Sequence, residues 1–290
     1  TDLGRAAALP PAARAEAERA ELTAAARAVA KVWSIRHDIE GVPYPSALSR
    51  ELVSRQTAPR SPAASASASA SATPRPSPTT RATQSASATA SPTAQVPKTA
   101  ADYPRWDKVL DPAQTAEQTR SYWCGPTSMQ MIAWGWSGRE RSQDLWASRL
   151  GTTSSGTDIG SIVRTVNRYT GWDREDYAGP YITLDIGGYS YGQWYLLLMR
   201  HIHDYRAPLV MHPILLKKYF PYLDDDASGH YQVGRGYAKR GVKPNLISYF
   251  EPWNQQRFDP SEPYIPRVQW RLAYKSFRAN KAHPLHNIGV

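Results

Sequence analysis

An α+β fold is predicted for the last 190 of the 290 residues, on three observations. Residues 101–290 hold nine of the ten Trp and sixteen of the seventeen Tyr, enough apolar mass for one substantial core. Helix-type spacing dominates the first half of that stretch, while short β-prone runs bounded by Gly, Pro and Asn follow it. Helices first and strands later suit an α+β layer structure rather than a doubly wound sheet.

Each element has its own justification. Cys124-Gly125-Pro126-Thr127-Ser128 opens a helix expected over 124–136, with Gly135 and Gly138 closing it. Pro126 suits a first turn, because the amide it lacks would be unsatisfied there anyway. A second helix is expected over 141–150, with Leu145, Trp146 and Leu150 on one face. A third covers 158–169 and turns Ile159, Ile162, Val163 and Val166 inward. A fourth covers 191–205, with Trp194, Leu197, Leu198 and Ile202 toward the core. Strands are expected at 208–212, 230–237 and 246–250.

The first hundred residues are of a different kind. Residues 1–56 contain one helical segment, about 11–37, rich in Ala, Glu and Arg. Its single narrow stripe is Leu22, Ala26, Val29 and Trp33, too little for a domain alone. It therefore docks on the downstream domain or stays partly disordered. Residues 57–100 form a linker of Ala, Ser, Thr and Pro without any Leu, Ile, Phe, Trp or Tyr. Such a tether spans on the order of 35–60 Å and suits an extracellular stalk. The absent initiator Met and this linker fit a secreted protein whose signal peptide has been removed, although any other chain boundary would look the same.

Composition excludes several classes. One Cys rules out a disulfide framework, a Cys-rich zinc module and an iron–sulfur cluster. No apolar run reaches 18 residues, so no membrane span is expected. The net charge of +10 divides into 12 basic and 7 acidic residues over 1–100, then 23 and 18 over 101–290. Without a basic stripe or a recognisable module, nucleic acid is not an expected partner. Attraction to an anionic cell envelope remains open, and a monomer is expected.

The lone Cys124 carries the most information. A buried Cys is commonly an inert small hydrophobe. At a helix start, however, free backbone amides and the dipole favour a thiolate, which is the nucleophilic form. A thiol nucleophile also needs a base. His37 lies in the N-terminal segment, and His283 and His286 lie in a Pro-flanked tail. His201 and His203, two apart on a helix, fall on different faces and make a poor zinc pair. His212 precedes Pro213 at a strand end and reads as structural. His230 follows Gly229 at a strand start, where a glycine lets another group approach closely.

Gln118, then Cys124-Gly125-Pro126-Thr127-Ser128 and Gly229-His230-Tyr231-Gln232-Val233-Gly234, together resemble the bacteriocin-processing-peptidase-like branch of the papain-like cysteine peptidases. The likeness covers residues 103–253. It implies a papain-like fold, with the Cys-bearing helix packed on an antiparallel sheet. It also implies Cys124 as nucleophile, His230 as its base, and a Gln118 side chain in the oxyanion hole. An acidic residue before Pro would orient the His. The family pattern has Asp-Pro there and this chain has Glu251-Pro252, so the orienter is Glu251 or a neighbour such as Asn254. No metal or cofactor is implied. The exporter-fused members cleave after double Gly, but no transporter segment is present here to carry that substrate over.

The expected function is hydrolysis of peptide bonds in a peptide or protein substrate by a secreted thiol peptidase. Amide hydrolysis on cell-wall peptides or acyl transfer to amines would use the same site. A stalked binding module for peptide or glycan is the non-enzymatic alternative, suggested by the aromatic surplus. The N-terminal helix would be a masking pro-segment or a docking element. Asp224-Asp225-Asp226 reads as a solvated loop, and Gly187-Gly188 as a turn without phosphate-loop chemistry.

Overall fold

The computed structural model describes residues 9–45, 97–253, 255–258 and 260–290. The linker expectation lies almost wholly outside the described residues, and so does Asn254. No helix among the described residues is long and apolar enough to cross a membrane.

Helix α1 (Pro11–Glu40) ends on Gly41 in the left-handed conformation; the Gly41 N–H bonds to the His37 carbonyl and the Val42 N–H to the Arg36 carbonyl. The expected stripe is wrong. Leu22 is 70% and Val29 52% exposed, and the buried residues are Lys31, Ile35 and Ile39. These follow the i, i+4, i+8 row of the last three turns; one turn earlier, Arg27 also reaches the domain, donating to the Asp173 carbonyl and pairing with Glu175. Helical spacing nominates several stripes; the docking partner selects one.

That partner is α5 (Tyr191–His203). Arg200 pairs with Asp38 and donates to Ser34 Oγ, while Tyr189 donates to Glu40 Oε1 at 2.9 Å. Lys31 Nζ sits 5.1 Å over the Tyr181 ring with no hydrogen-bond partner among the described residues. Burial first, then the Arg200 charge, pulls Lys31 down to about 7, from a usual value near 10.4 in an unfolded chain. Between those two values the unfolded state holds the extra proton, so stability rises with pH across that window. Lys31→Met is expected to raise the free energy of unfolding most at pH 6–7, by on the order of 2–4 kcal/mol, and by less toward pH 10. A gain that does not change with pH would refute the buried-charge account.

The sheet has seven strands: β1 (Trp106–Lys108), β2 (Thr183–Asp185), β3 (Leu209–Met211), β4 (Gln232–Ala238), β5 (Leu246–Phe250), β6 (Val268–Leu272) and β7 (Asn287–Gly289). Its order is β2-β7-β3-β4-β5-β6, with β1 also on β4, and every pairing is antiparallel. Alternation sorts the two faces. Leu209, Met211, Tyr237, Ile247 and Tyr249 pack under α5 and α6 (Ala273–Ala282). Val210, Val233 and Phe250 face α2 (Cys124–Ser137) and α4 (Ile159–Tyr169) on the other side.

Helix α2 is buried on every side from Gly125 to Ala133, as a central helix must be. Gly138 caps it in the left-handed conformation, but Gly135 does not close it. Leu110 fills the space beside Gly135, where a Cβ would fall 2.1 Å from Leu110 Cδ2. Helix α3 (Gln143–Leu150) starts on Ser142 and α4 on Asp158, both capping through their side chains.

Four strands and one helix escape sequence reading. β1, β2 and β7 are three residues each, too short to show alternation. β6 is an edge strand carrying Gln269 and Arg271, and α6 turns Ser276 and Asn280 inward beside Phe277. The residues after 280 are therefore no tail, since Ile288 is buried in β7.

Candidate active site

Cys124 is the first residue of α2, so its backbone amide and that of Gly125 lie at the positive end of the dipole. His230 lies two residues before β4, with its own N–H bonded to the Pro213 carbonyl. The close approach anticipated at Gly229 is made by His283, whose Nε2 would be 2.6 Å from any Cβ there. Glu251 directly follows β5. Since Val233 pairs with Phe250, the next step of the ladder sets Glu251 beside Gln232, two residues from His230. Pleating turns all three to one face.

The contacts follow from that register. His230 Nε2 and Glu251 Oε1 are 2.6 Å apart, and both side chains are buried. Trp253 N–H also donates to Oε1, at 2.9 Å. Tyr222 Oη donates to Oε2 at 2.8 Å and Gln232 Nε2 at 2.7 Å. Four donors on a fully buried carboxylate keep it ionised and immobile. Burial pushes the Glu251 carboxyl up, but the His230 charge and these bonds outweigh it, and the net shift is downward. Burial pulls His230 down, yet the Glu251 charge and then a hydrogen bond with the Cys124 side chain raise it to about 10. The imidazole is therefore built to hold a proton.

Cys124 and His230 line one opening of about 210 Å³, rimmed by Tyr122, Gly156, Ser228 and Trp253. Trp253 meets the His230 ring edge-on at 6.3 Å, shielding it from water. No described residue of α1 lines this opening, which suits a docking element and gives masking no support.

Gln118 is fully buried in the loop before α2, and its N–H bonds to the Pro252 carbonyl. Its Nε2 donates to the Arg120 and Ser121 carbonyls at 3.0 and 2.9 Å, and Oε1 has no partner among the described residues. Gln143 clamps the same loop from α3. Its Nε2 donates to the Glu117 carbonyl, and its Oε1 accepts from Thr119 N–H and Oγ1. So Cys124, His230 and Glu251 come together, while the Gln118 amide is spent on its own loop.

The remaining histidines are elsewhere engaged. His201 is buried with Nδ1 on the Ala207 carbonyl, and His203 pairs with Asp107 at 2.6 Å. His212 stacks on Tyr231 and His283. Sequence reasoning missed Tyr222, Gln232 and Gln143. Gln232 was legible as the residue two beyond His230 on one strand; the other two reach in from elements distant in the chain.

Three comparisons bear on this arrangement. The model of the Peptidase_C39 like family matches residues 103–280. Among solved structures, the peptidase domain of Streptococcus ComA, a bi-functional ABC transporter involved in a quorum-sensing pathway, is similar at 17% identity and a TM-score of 0.33. That match covers 63% of this chain and 96% of the ComA domain. A search of curated proteins finds no match. With more than half of its length matched by the family model, this chain belongs to the Peptidase_C39-like family and is a cysteine-type peptidase.

Proposed function

We propose that the protein hydrolyses peptide bonds with Cys124 as nucleophile, His230 as general acid and base, and Glu251 as the group that orients His230. The observation that carries this reading is the buried Glu251–His230 contact at 2.6 Å beside the Cys124 side chain. Glu251 holds Nε2 of the imidazole, which leaves Nδ1 for the sulfur.

The chemistry follows in two halves. The Cys124 thiolate attacks the scissile carbonyl carbon, forming a C–S bond and placing negative charge on oxygen. The backbone N–H of Cys124 and the Gln118 side-chain amide meet that oxygen, each donor being worth about 10²–10³ in rate. Gln118 Nε2 must turn one N–H from the Arg120 or Ser121 carbonyl to do so. Collapse breaks the C–N bond, and His230 gives its proton to the departing amine. A water then passes a proton to His230 and adds to the thioester, releasing the acid and restoring Cys124.

The Ala/Ser/Thr/Pro stretch supports an extracellular setting for this chemistry. Mass spectrometry of a digested peptide library, with and without an added amine, tests the acceptor. New free carboxyl and amino termini are expected in both reactions. Products carrying the added amine in place of water would turn the reading to acyl transfer.

A further inference from the structure

The face of the sheet that carries α2 at its catalytic end is bare at the other. In register across four strands, Trp106 pairs with Ala238, Ala238 with Leu246, and Leu246 with Leu272. Trp270 lies two residues from Leu272 on the same side of β6. On the reverse side, by contrast, Tyr237 and Ile247 are completely buried beneath α5. On the bare side Trp106 is 57% and Trp270 40% exposed. Together they line a shallow cavity of about 430 Å³ with Arg105, Lys239 and Arg240 at its lip. A contiguous apolar row of this kind is uncommon on a surface without a ligand.

Charge and shape narrow the occupant. No carboxylate lines the cavity; Asp107, next to Trp106 on β1, pairs with His203, and Asp102 is held by Thr99. Lys239 is spent on the Ala100 and Tyr103 carbonyls, which leaves the Arg105 and Arg240 guanidinium groups without partners among the described residues. A second copy would set these arginines against themselves. The sequence of residues 46–96 carries Arg50, Arg55, Arg60, Arg75 and Arg81 against Glu51, and so supplies no acidic complement to these arginines. An anionic ligand remains. Nucleic acid places a phosphate every few ångströms and needs a matching run of cations, whereas only two of the cations lining the cavity are without a partner among the described residues. Flat indoles on a pleated row, without a deep groove, suit the apolar faces of sugar rings better than a helix. Three inter-strand steps span about 14 Å, a few sugar units.

We propose that this bare end of the sheet binds an acidic polysaccharide whose carboxylate or phosphate groups are spaced by neutral sugar. Indoles Trp106 and Trp270 stack on ring faces, and Arg105 and Arg240 pair with the acid groups. β5 runs from Leu246 to Phe250 before Glu251, so the site stands roughly 17 Å from the catalytic cleft and holds the enzyme on its matrix without touching the reaction.

Affinity electrophoresis of the full chain tests this, through gels containing polygalacturonate, phosphomannan or neutral dextran. Retardation is expected in at least one acidic gel, which identifies the acid group, and none in dextran. Trp106→Ala/Trp270→Ala and Arg105→Gln/Arg240→Gln are each expected to weaken the apparent affinity at least tenfold. These positions are exposed, and unchanged cleavage of a short peptide by both variants would show that they remain folded. Absence of retardation in both acidic gels would overturn the proposal. So would retardation that survives the loss of both indoles, or tighter binding of a single-stranded oligonucleotide than of either glycan.

Discussion

Cys124→Ala and His230→Ala are both expected to reduce peptide cleavage to background, a loss of about 10⁴-fold or more, because nucleophile and base act as a unit. The lone Cys makes the pairing measurable without a substrate. Iodoacetamide labelling of Cys124 is expected to be about tenfold or more slower in His230→Ala than in wild type, because the basic imidazole beside the sulfur is lost. The physical ground is the raised proton affinity of His230, which the Glu251 charge and the Cys124 side chain sustain against burial. Labelling as fast in His230→Ala as in wild type would make Cys124 an ordinary thiol and end the nucleophile reading.

Glu251→Gln carries the second large effect, and here geometry decides its size. Four donors converge on the carboxylate: His230 Nε2, Trp253 N–H, Tyr222 Oη and Gln232 Nε2. A glutamine oxygen can accept two of them, and its NH₂ then faces the rest donor to donor. If the amide donates to His230 Nε2, it forces the proton onto Nδ1, the nitrogen the sulfur needs. We expect a loss of about 10³–10⁴ in kcat/KM, from the wrong tautomer. Breaking the buried pair is expected to cost about 3–5 kcal/mol of stability as well. Glu251→Asp keeps the charge and is expected to recover part of the activity, a rescue that a purely structural role would not produce. Glu251→Gln with a wild-type rate and pH profile would remove Glu251 from the site.

The pH window of that pair is fixed by the two shifts. The raised His230 contributes stability that is complete below its unfolded value near 6.5 and disappears as pH rises through about 10. The lowered Glu251 contributes stability present above its unfolded value near 4.3 and lost as pH falls through the folded one.

The local signals were legible because their causes are local. Helices expected from 124, 141 and 158 were readable from Pro126 in a first turn and from stripes such as Ile159-Ile162-Val163-Val166, while the Ser142 and Asp158 caps are seen only in the structure. The order Gln118, Cys124, His230 with an acid before Pro252 was readable as a resemblance, and the family match includes these positions. What failed was non-local. The N-terminal helix buries Lys31, Ile35 and Ile39 instead of Leu22 and Val29, because Arg200 and Tyr189 of a segment 150 residues away set its docking angle.

The sequence by itself determined where the chemistry could sit: one thiol at a helix start, one histidine behind a glycine at a strand start, and a glutamate ending a strand. Only the tertiary structure decided that Glu251 meets His230, that the Gln118 amide is tied to its own loop, and that Trp106, Trp270 and Leu272 lie bare on one face. The physical reason is register. Side chains of distant strands share a face only through hydrogen-bonded pairing, here Val233 with Phe250 and Leu246 with Leu272. A slip of one residue would turn each of them to the other side.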